Sequence, residues 1–203
     1  MSQSRVCIFF NFNTKWNLCT DSFDPSKALD TASLRWLRHY EIPAAVPLDS
    51  SISFADLADK VHLSERTLTR IVRHAMTNNI FVESPPEHVS HTSLSIQLAR
   101  TENPIRGVVG HQSEVVFPAA AKMVEAHELF GTDEESATHA PFQLAFDTKD
   151  RALDWVANDP VASARFAESM KGGASSGPFS VVSTVKGFDW SGLGEAVVVD
   201  VSI

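Results

Sequence analysis

The sequence predicts a mainly α-helical protein built on a winged helix-turn-helix, with additional helices and one strand that opens an α/β domain. A short helix at Phe54-Ala-Asp-Leu-Ala58, a turn and a longer helix from Ser64 precede a hairpin pattern, which is the order of a winged helix. The two hairpin segments are Ile80-Phe-Val82 and His88-Val-Ser-His91. Near the end, Val197-Val-Val-Asp-Val201 is typical of a strand buried on both faces.

The α/β domain is expected to be truncated. An acidic residue such as Asp200, near the carboxyl end of a buried strand, suits the opening of a nucleotide-binding sheet, where a glycine loop follows the strand. Here Ser202-Ile203 follow instead, and the sequence ends. The last three codons of this stretch can also be read as a 5′ splice donor, which favours intron read-through as the origin of this end.

The amino-acid composition is typical of an ordinary soluble protein. The 203 residues carry a formal net charge of −8, which disfavours nucleic acid and anionic membranes as partners. Only Cys7 and Cys19 are present and no Cys-x-x-Cys pair exists, so a reducing compartment is expected. Without an apolar run of about 20 residues or a signal sequence, we predict a cytoplasmic protein.

Helices are expected along most of the chain. Asp24-Pro25 opens the first helix, which Pro43 ends, whereas residues 1–24 lack any period and form an irregular arm. Residues 92–130 read as helix interrupted around Gly107 and Gly110, with an apolar helix from Ala119 to Phe130. Further helices are expected at Arg151–Val156, from Asp159-Pro160, and from Phe179 to about Lys186.

The glycine-rich segment Lys171-Gly-Gly-Ala-Ser-Ser-Gly177-Pro178 is predicted to be a flexible break. It superficially resembles a phosphate loop, but it lacks the Gly-Lys-Ser/Thr ending and the preceding strand. His88 and His91 are three residues apart without an acidic or cysteine third ligand, so we expect no metal site there.

Arg66, Arg70 and Arg73 lie on the second helix of the helix-turn-helix. They fit either a recognition helix that contacts DNA or a protein-interaction scaffold whose arginines are solvated or pair with acidic residues. The acidic net charge and a predicted wing without Lys or Arg disfavour DNA.

An aromatic and methionine series is spread over consecutive predicted elements near the end of the chain. Its members are Phe142, Phe146, Trp155, Phe166 and Met170. Such a series is typical of plain core, and it is also compatible with a flat apolar pocket for an aromatic ligand.

The sequence resembles the fungal O-methyltransferases of secondary metabolism, enzymes of the cation-independent class that use S-adenosylmethionine. The segments that carry the resemblance are Ala44-Ala-Val-Pro-Leu48, Phe54-Ala-Asp-Leu-Ala58, Leu63-Ser-Glu-Arg-Thr-Leu-Thr-Arg-Ile-Val-Arg-His-Ala-Met-Thr-Asn-Asn-Ile-Phe81, His91-Thr-Ser, Phe117-Pro-Ala-Ala120, Phe142-Gln-Leu-Ala-Phe146, Arg165-Phe166 with Met170, and Gly187-Phe-Asp-Trp190. The likeness runs from about Pro25 to Val201 and is specific as a set.

The resemblance implies a division of the chain and the roles of its parts. Residues 25–100 would form a winged-helix dimerisation domain, 101–186 a helical substrate wall, and 187–203 the start of a truncated Rossmann-like methyltransferase domain. Phe166 and Met170 match a family motif whose side chains face the acceptor, a small aromatic metabolite. Of the cofactor site only Asp200 is carried over, as an incomplete remnant, and no catalytic residue is assigned.

We therefore expect a truncated O-methyltransferase-like protein that is inactive alone. It would act as a dimerisation module or a remnant, in a homodimer or in a heterodimer with a full-length methyltransferase. The alternatives are a functional O-methyltransferase whose missing domain is restored by splicing or by a partner, a winged-helix DNA-binding regulator, and a cofactor-free catalyst or metabolite binder.

Overall fold

The computed structural model describes residues 27–131, 136–175 and 180–195, and these residues are mostly helical. The α-helices are α1 (Lys27–His39), α2 (Ile42–Ala45), α3 (Phe54–Val61), α4 (Glu65–Met76), α5 (Ser93–Ala99), α6 (Ile105–His111), α7 (Phe117–Ala120), α8 (Met123–Phe130), α9 (Pro141–Phe146), α10 (Ala152–Asn158), α11 (Pro160–Ser175) and α12 (Val181–Gly187). A π-helical turn (Gln112–Val116) joins α6 to α7, and a 3-10 turn (Trp190–Leu193) follows α12.

A helix-turn-helix packs beside a small antiparallel sheet. The strands β1 (Ile52–Ser53), β2 (Val82–Glu83) and β3 (His88–Ser90) are arranged in the order β1-β3-β2. Ser53 ends β1 and starts α3, because its hydroxyl accepts a hydrogen bond from the Asp56 amide at 3.0 Å. Ser64 occupies the equivalent position before α4 but makes no such side-chain bond.

The main hydrophobic core lies under this helix-turn-helix, between α1, α2, α3, α4 and β3. Its buried members are Leu37, Ile42, Ala45, Val46, Phe54, Leu57, Leu68, Val72, Ala75, Ile80, Phe81 and Val89. The helical spacing of the α4 residues directs one stripe of that helix into the core. These elements form where the sequence pattern predicts them, since their caps and apolar spacing are local signals.

The predicted breaks at glycine residues are wrong. Gly107 and Gly110 lie inside α6, and the chain leaves the helical conformation earlier, between α5 and α6. The segment predicted as a flexible break is helical up to Ser175, because α11 continues through Gly172 and Gly173. Pro43 also does not end the first helix, since it lies in the first turn of α2.

These glycines instead allow α6 and α11 to cross in close contact. A Cβ atom placed on Gly107 would lie 2.3 Å from Cβ of Glu168, and one on Gly172 would lie 2.5 Å from a methyl group of Val108. Both distances are below van der Waals contact, so only glycine fits at this approach. Gly107 and Gly110 meet residues 168 and 165 in reverse order, so the two helices run antiparallel.

The apolar helix predicted from Ala119 to Phe130 is divided and partly turned outward. The chain breaks between α7 and α8, and α8 leaves Met123, Val124 and Leu129 more than 60% exposed. Positions 123, 124 and 129 are spread around the helix axis, so these exposed side chains do not form a single stripe.

Among the described residues, no helix is both long and apolar enough to cross a membrane. The predicted N-terminal arm, the helix opening at Asp24-Pro25, the strand Val197–Val201 and the Asp200 remnant lie outside the described residues.

Candidate functional site

Helix α11 carries the two residues that the resemblance places toward the acceptor. Phe166 and Met170 are one helical turn apart and therefore share a face. Phe166 is half-buried and packs edge to face against the ring of His111 on α6, with ring centroids 5.3 Å apart. Met170 is 51% exposed. This face, His111 with Phe166 and Met170, is called the α6–α11 face below.

An ion-pair network fixes α11 to the rest of the fold. The Glu114 carboxylate in the π-helical turn accepts a hydrogen bond from Arg38 of α1 at 2.7 Å and pairs with Arg165 of α11 through its other oxygen. The three side chains are only 17 to 23% exposed, so solvent screens them weakly. A Cβ on Gly110 would come within 2.8 Å of the Arg38 guanidinium, so glycine leaves the space that this cation occupies. The network therefore sets the position of Phe166, the next residue along α11.

His111 is held uncharged. Burial lowers the pKa of its imidazole below the usual value of 6.5, and the nearby Arg165 guanidinium lowers this pKa further. Neither ring nitrogen donates or accepts a hydrogen bond with the part of the chain that the structure describes. Sequence reasoning missed His111 and Glu114, because their contacts with α11 span about fifty residues and leave no local pattern.

The other three predicted ligand-facing residues form a separate aromatic cluster. Phe142 and Phe146 of α9 lie 4.7 Å apart between ring centroids, and Trp155 of α10 lies 5.5 and 4.8 Å from them. Phe142 is only 8% exposed. The three rings pack against one another and thereby join α9 to α10. A ligand-facing role for these three residues stays a prediction.

An open cleft lies elsewhere on the described part of the chain. It has a volume of about 480 Å³ and is lined by residues of the α5–α6 connection and by Gly172. None of the five predicted ligand-facing residues lines this cleft.

The three arginines proposed for DNA contact differ in their surroundings. Arg66 and Arg70 are exposed, whereas Arg73 donates to Glu83 at 2.7 and 2.8 Å and to Glu87 at 2.8 Å. Its hydrogen bonds lower the pKa of Glu83 to about 2. The hairpin therefore presents carboxylates beside α4, which repel a phosphate backbone.

Each histidine considered for a metal site contacts protein groups. Nε2 of His91 lies 3.1 Å from the Val46 carbonyl oxygen and donates to it, so Nδ1 accepts from the Ser95 hydroxyl at 2.9 Å. Nδ1 of His88 lies 3.1 Å from the Pro86 carbonyl oxygen. His91 thus joins the end of α2 to the start of α5.

We expect His91 to make stability depend on pH. Burial lowers the pKa of His91 below 6.5, so the unfolded chain binds the proton more tightly than the folded chain. The contribution of neutral His91 to the free energy of unfolding should therefore be fully present above pH 6.5. The free energy of unfolding should decrease as the pH falls below that value. Urea unfolding between pH 7.5 and 5 measures this slope, and His91→Gln should make it shallower. An unchanged slope in that variant would contradict the neutral, buried state of His91.

Comparison with solved structures defines the class of fold. The chain superposes on OxaC in complex with S-adenosylhomocysteine and oxaline with a TM-score of 0.66 and 18% identity, covering 74% of this chain and 38% of that one. It superposes on the mitomycin 7-O-methyltransferase MmcR with a TM-score of 0.59 and 17% identity, covering 73% and 42%. A pericyclic reaction enzyme also matches, with a TM-score of 0.63, 19% identity and coverage of 74% and 41%. The chain therefore has the fold of one part of these larger enzymes.

Sequence comparison then gives the family, although no family model matches the chain. The chain is 36% identical over 171 residues to an O-methyltransferase of Aspergillus brasiliensis, covering 83% of this chain and 40% of the relative. It is 37% identical over 168 residues to an O-methyltransferase of Aspergillus oryzae, with coverage of 83% and 39%. A chlorophenol O-methyltransferase of Trichoderma longibrachiatum is 39% identical over 144 residues, with coverage of 70% and 30%.

The chain belongs to the family of the fungal O-methyltransferases and spans about two fifths of the length of the relatives first compared.

Proposed function

We propose that this chain supplies the subunit-pairing and acceptor-facing part of an O-methyltransferase, and that other residues bind its methyl donor. The observation that carries the proposal is the 36% identity to an O-methyltransferase over 83% of this chain. S-adenosylmethionine, when bound to such an enzyme, supplies the methyl group for an acceptor hydroxyl.

The described residues do not fit that cofactor. A nucleotide-like cofactor binds beyond the carboxyl ends of parallel strands, beside a glycine loop. The strands described here are two or three residues long and antiparallel. The one residue that the sequence offers, Asp200, lies outside the described part, so we assign no step to it.

The α6–α11 face would contact the methyl acceptor. Phe166 presents a half-buried ring and Met170 an exposed thioether, and such groups pack well against a flat aromatic molecule. The Glu114 network holds α11 against α1 and the π-helical turn, which keeps this face in a fixed position. The chlorophenol specificity of one relative supports a small phenol as the acceptor class.

The surface that would pair two subunits combines two parts of the chain. For residues 25–100 we retain the winged-helix interpretation, which the α3–α4 helix-turn-helix and the three-stranded sheet support. To this scaffold we add α8, whose apolar side chains Met123, Val124 and Leu129 are exposed. Burying such side chains stabilises an association by about 1.5 to 3 kcal/mol for each fully buried residue.

Sedimentation equilibrium of the 203-residue chain tests this proposal. We expect a mass twice that of one chain at micromolar concentration, because a second copy covers α8. The double substitution Val124→Glu and Leu129→Glu should give single chains, since it places charges in the contact. As a control, Leu153→Glu changes a similarly exposed residue on α10, outside both parts of the proposed contact, and should leave the paired state intact. A wild-type chain that stays single at all concentrations would contradict the proposal.

The DNA-binding alternative gains no support from the geometry, since Arg73 is engaged by two carboxylates of the hairpin. Titration of a fluorescent DNA duplex at low salt should show no saturable binding, and binding that falls steeply with salt would restore this alternative.

A further inference from the structure

The α6–α11 face contains one polar group that the proposed function leaves unused. His111 is half-buried against Phe166, and neither of its ring nitrogens hydrogen-bonds to the part of the chain that the structure describes. The ring nitrogens are not among the buried atoms that lack a partner, so they remain accessible to solvent and a ligand hydroxyl can replace water there.

Two neighbouring features define the surroundings of this imidazole. The close crossing at Gly107 and Gly110 brings the last turn of α6 onto α11, where the His111 ring packs edge to face against Phe166. Arg165 pairs with Glu114 through Nη1, whereas its Nε is buried and has no hydrogen-bond partner among the described residues. The His111 nitrogens thus lie beside Phe166, accessible from solvent, where a ligand can reach them.

We propose that His111 is a third acceptor-contacting residue, whose imidazole hydrogen-bonds a hydroxyl of the aromatic acceptor lying against Phe166 and Met170. The inference rests on the proposed function, which makes this face the acceptor side. It adds a specificity determinant, because the apolar pair recognises the ring and His111 recognises the hydroxyl.

The protonation state of the imidazole suits this role. A neutral imidazole has one N–H donor and one nitrogen acceptor, so it pairs with a hydroxyl in either direction. Burial and Arg165 both lower the pKa of His111, which keeps this neutral form at pH 7. A methyl ether keeps an oxygen that can accept from the imidazole N–H but lacks the O–H that donates to the other ring nitrogen, so the accepting nitrogen distinguishes a phenol from its methylated form.

Nuclear magnetic resonance of the 203-residue chain tests the inference, with ¹³C in the methionine methyl groups and ¹⁵N in the histidine rings. The probes are 4-chlorophenol and its methyl ether, 4-chloroanisole. We expect 4-chlorophenol to shift both the Met170 methyl and the His111 ring nitrogens with one dissociation constant. The Met76 methyl, on α4 in contact with the core, should remain unchanged.

The substitution His111→Phe separates the hydrogen bond from the ring contact. It keeps an aromatic ring beside Phe166, and it should weaken 4-chlorophenol binding about three- to tenfold, the effect of losing one neutral hydrogen bond. Binding of 4-chloroanisole should weaken less, because it has no O–H to donate to the ring nitrogen. The ¹⁵N shifts of the wild-type chain give the same information if this variant folds poorly.

Two results would overturn the inference and are distinguishable. In the first, Met170 responds to 4-chlorophenol while the His111 nitrogens do not, or His111→Phe binds both probes like the wild type. Either observation would show that His111 makes no contact with the acceptor, while the assignment of the α6–α11 face to acceptor binding would remain. If neither Met170 nor His111 responds, the acceptor side itself is wrong, and the pairing function still rests on sedimentation.

Discussion

Replacing Gly107 with alanine is expected to lower the free energy of unfolding by about 1 to 3 kcal/mol, the usual cost of overpacking. The new Cβ would lie 2.3 Å from Cβ of Glu168 and 2.7 Å from the Ser169 amide nitrogen. Because the second atom belongs to the backbone, relief requires the whole of α11 to move away. The movement would also displace the α6–α11 face. Urea unfolding monitored by circular dichroism measures the loss.

Gly173→Ala is the matched control for this substitution. Gly173 also lies in α11, but a Cβ at this position would meet nothing within 4 Å. Alanine has the higher helix propensity, so this variant should gain about 0.5 to 1 kcal/mol. If Gly107→Ala is as stable as Gly173→Ala, the close crossing of α6 and α11 is wrong.

Replacing Leu68 with alanine is expected to lower the free energy of unfolding by about 2 to 5 kcal/mol. Leu68 is fully buried in the core below α4, where its loss leaves a cavity that packed neighbours fill only in part. Since domains of this size are stable by about 5 to 15 kcal/mol, the variant should unfold at a clearly lower urea concentration.

Leu29→Ala removes the same atoms from a residue on α1 that is 62% exposed. It should change the free energy of unfolding by less than about 0.5 kcal/mol. Equal effects of the two substitutions would show that the core is not where the structure places it.

The helix-turn-helix was predictable because its signals are local. Ser53 precedes α3 as a capping residue, and the apolar residues of α4 recur at helical spacing up to Met76. The hairpin was predictable from the Pro-Pro turn between two short apolar runs. Each of these features depends on residues within one or two turns of chain.

The glycines of α6 and α11 were predicted wrongly for the same reason. Glycine has a low helix propensity, so the local sequence around Gly107, Gly110 and Gly172 predicts interruptions of the helix. The structure keeps them helical because the contact between the two helices outweighs that local cost. Only a residue distant in sequence, such as Glu168 for Gly107, shows why a side chain is excluded there.

The candidate site was predictable in part. Phe166 and Met170 followed from the family resemblance, and they share one face of α11. His111 and the Glu114 network were missed, because charge pairs and ring contacts between α1, α6 and α11 have no sequence pattern. Likewise, the sequence left open whether Arg73 contacts DNA, is solvated or pairs with acidic residues, and only the fold shows its two carboxylate partners.

The central claim is that this chain pairs the subunits and contacts the methyl acceptor, while other residues bind the methyl donor. Titration calorimetry of the 203-residue chain with S-adenosylmethionine tests this claim most directly. We predict no heat of binding at donor concentrations up to the millimolar range, from a sample shown by sedimentation to be folded and paired. Stoichiometric binding with a micromolar dissociation constant would contradict the account, because it would place the cofactor site within these residues.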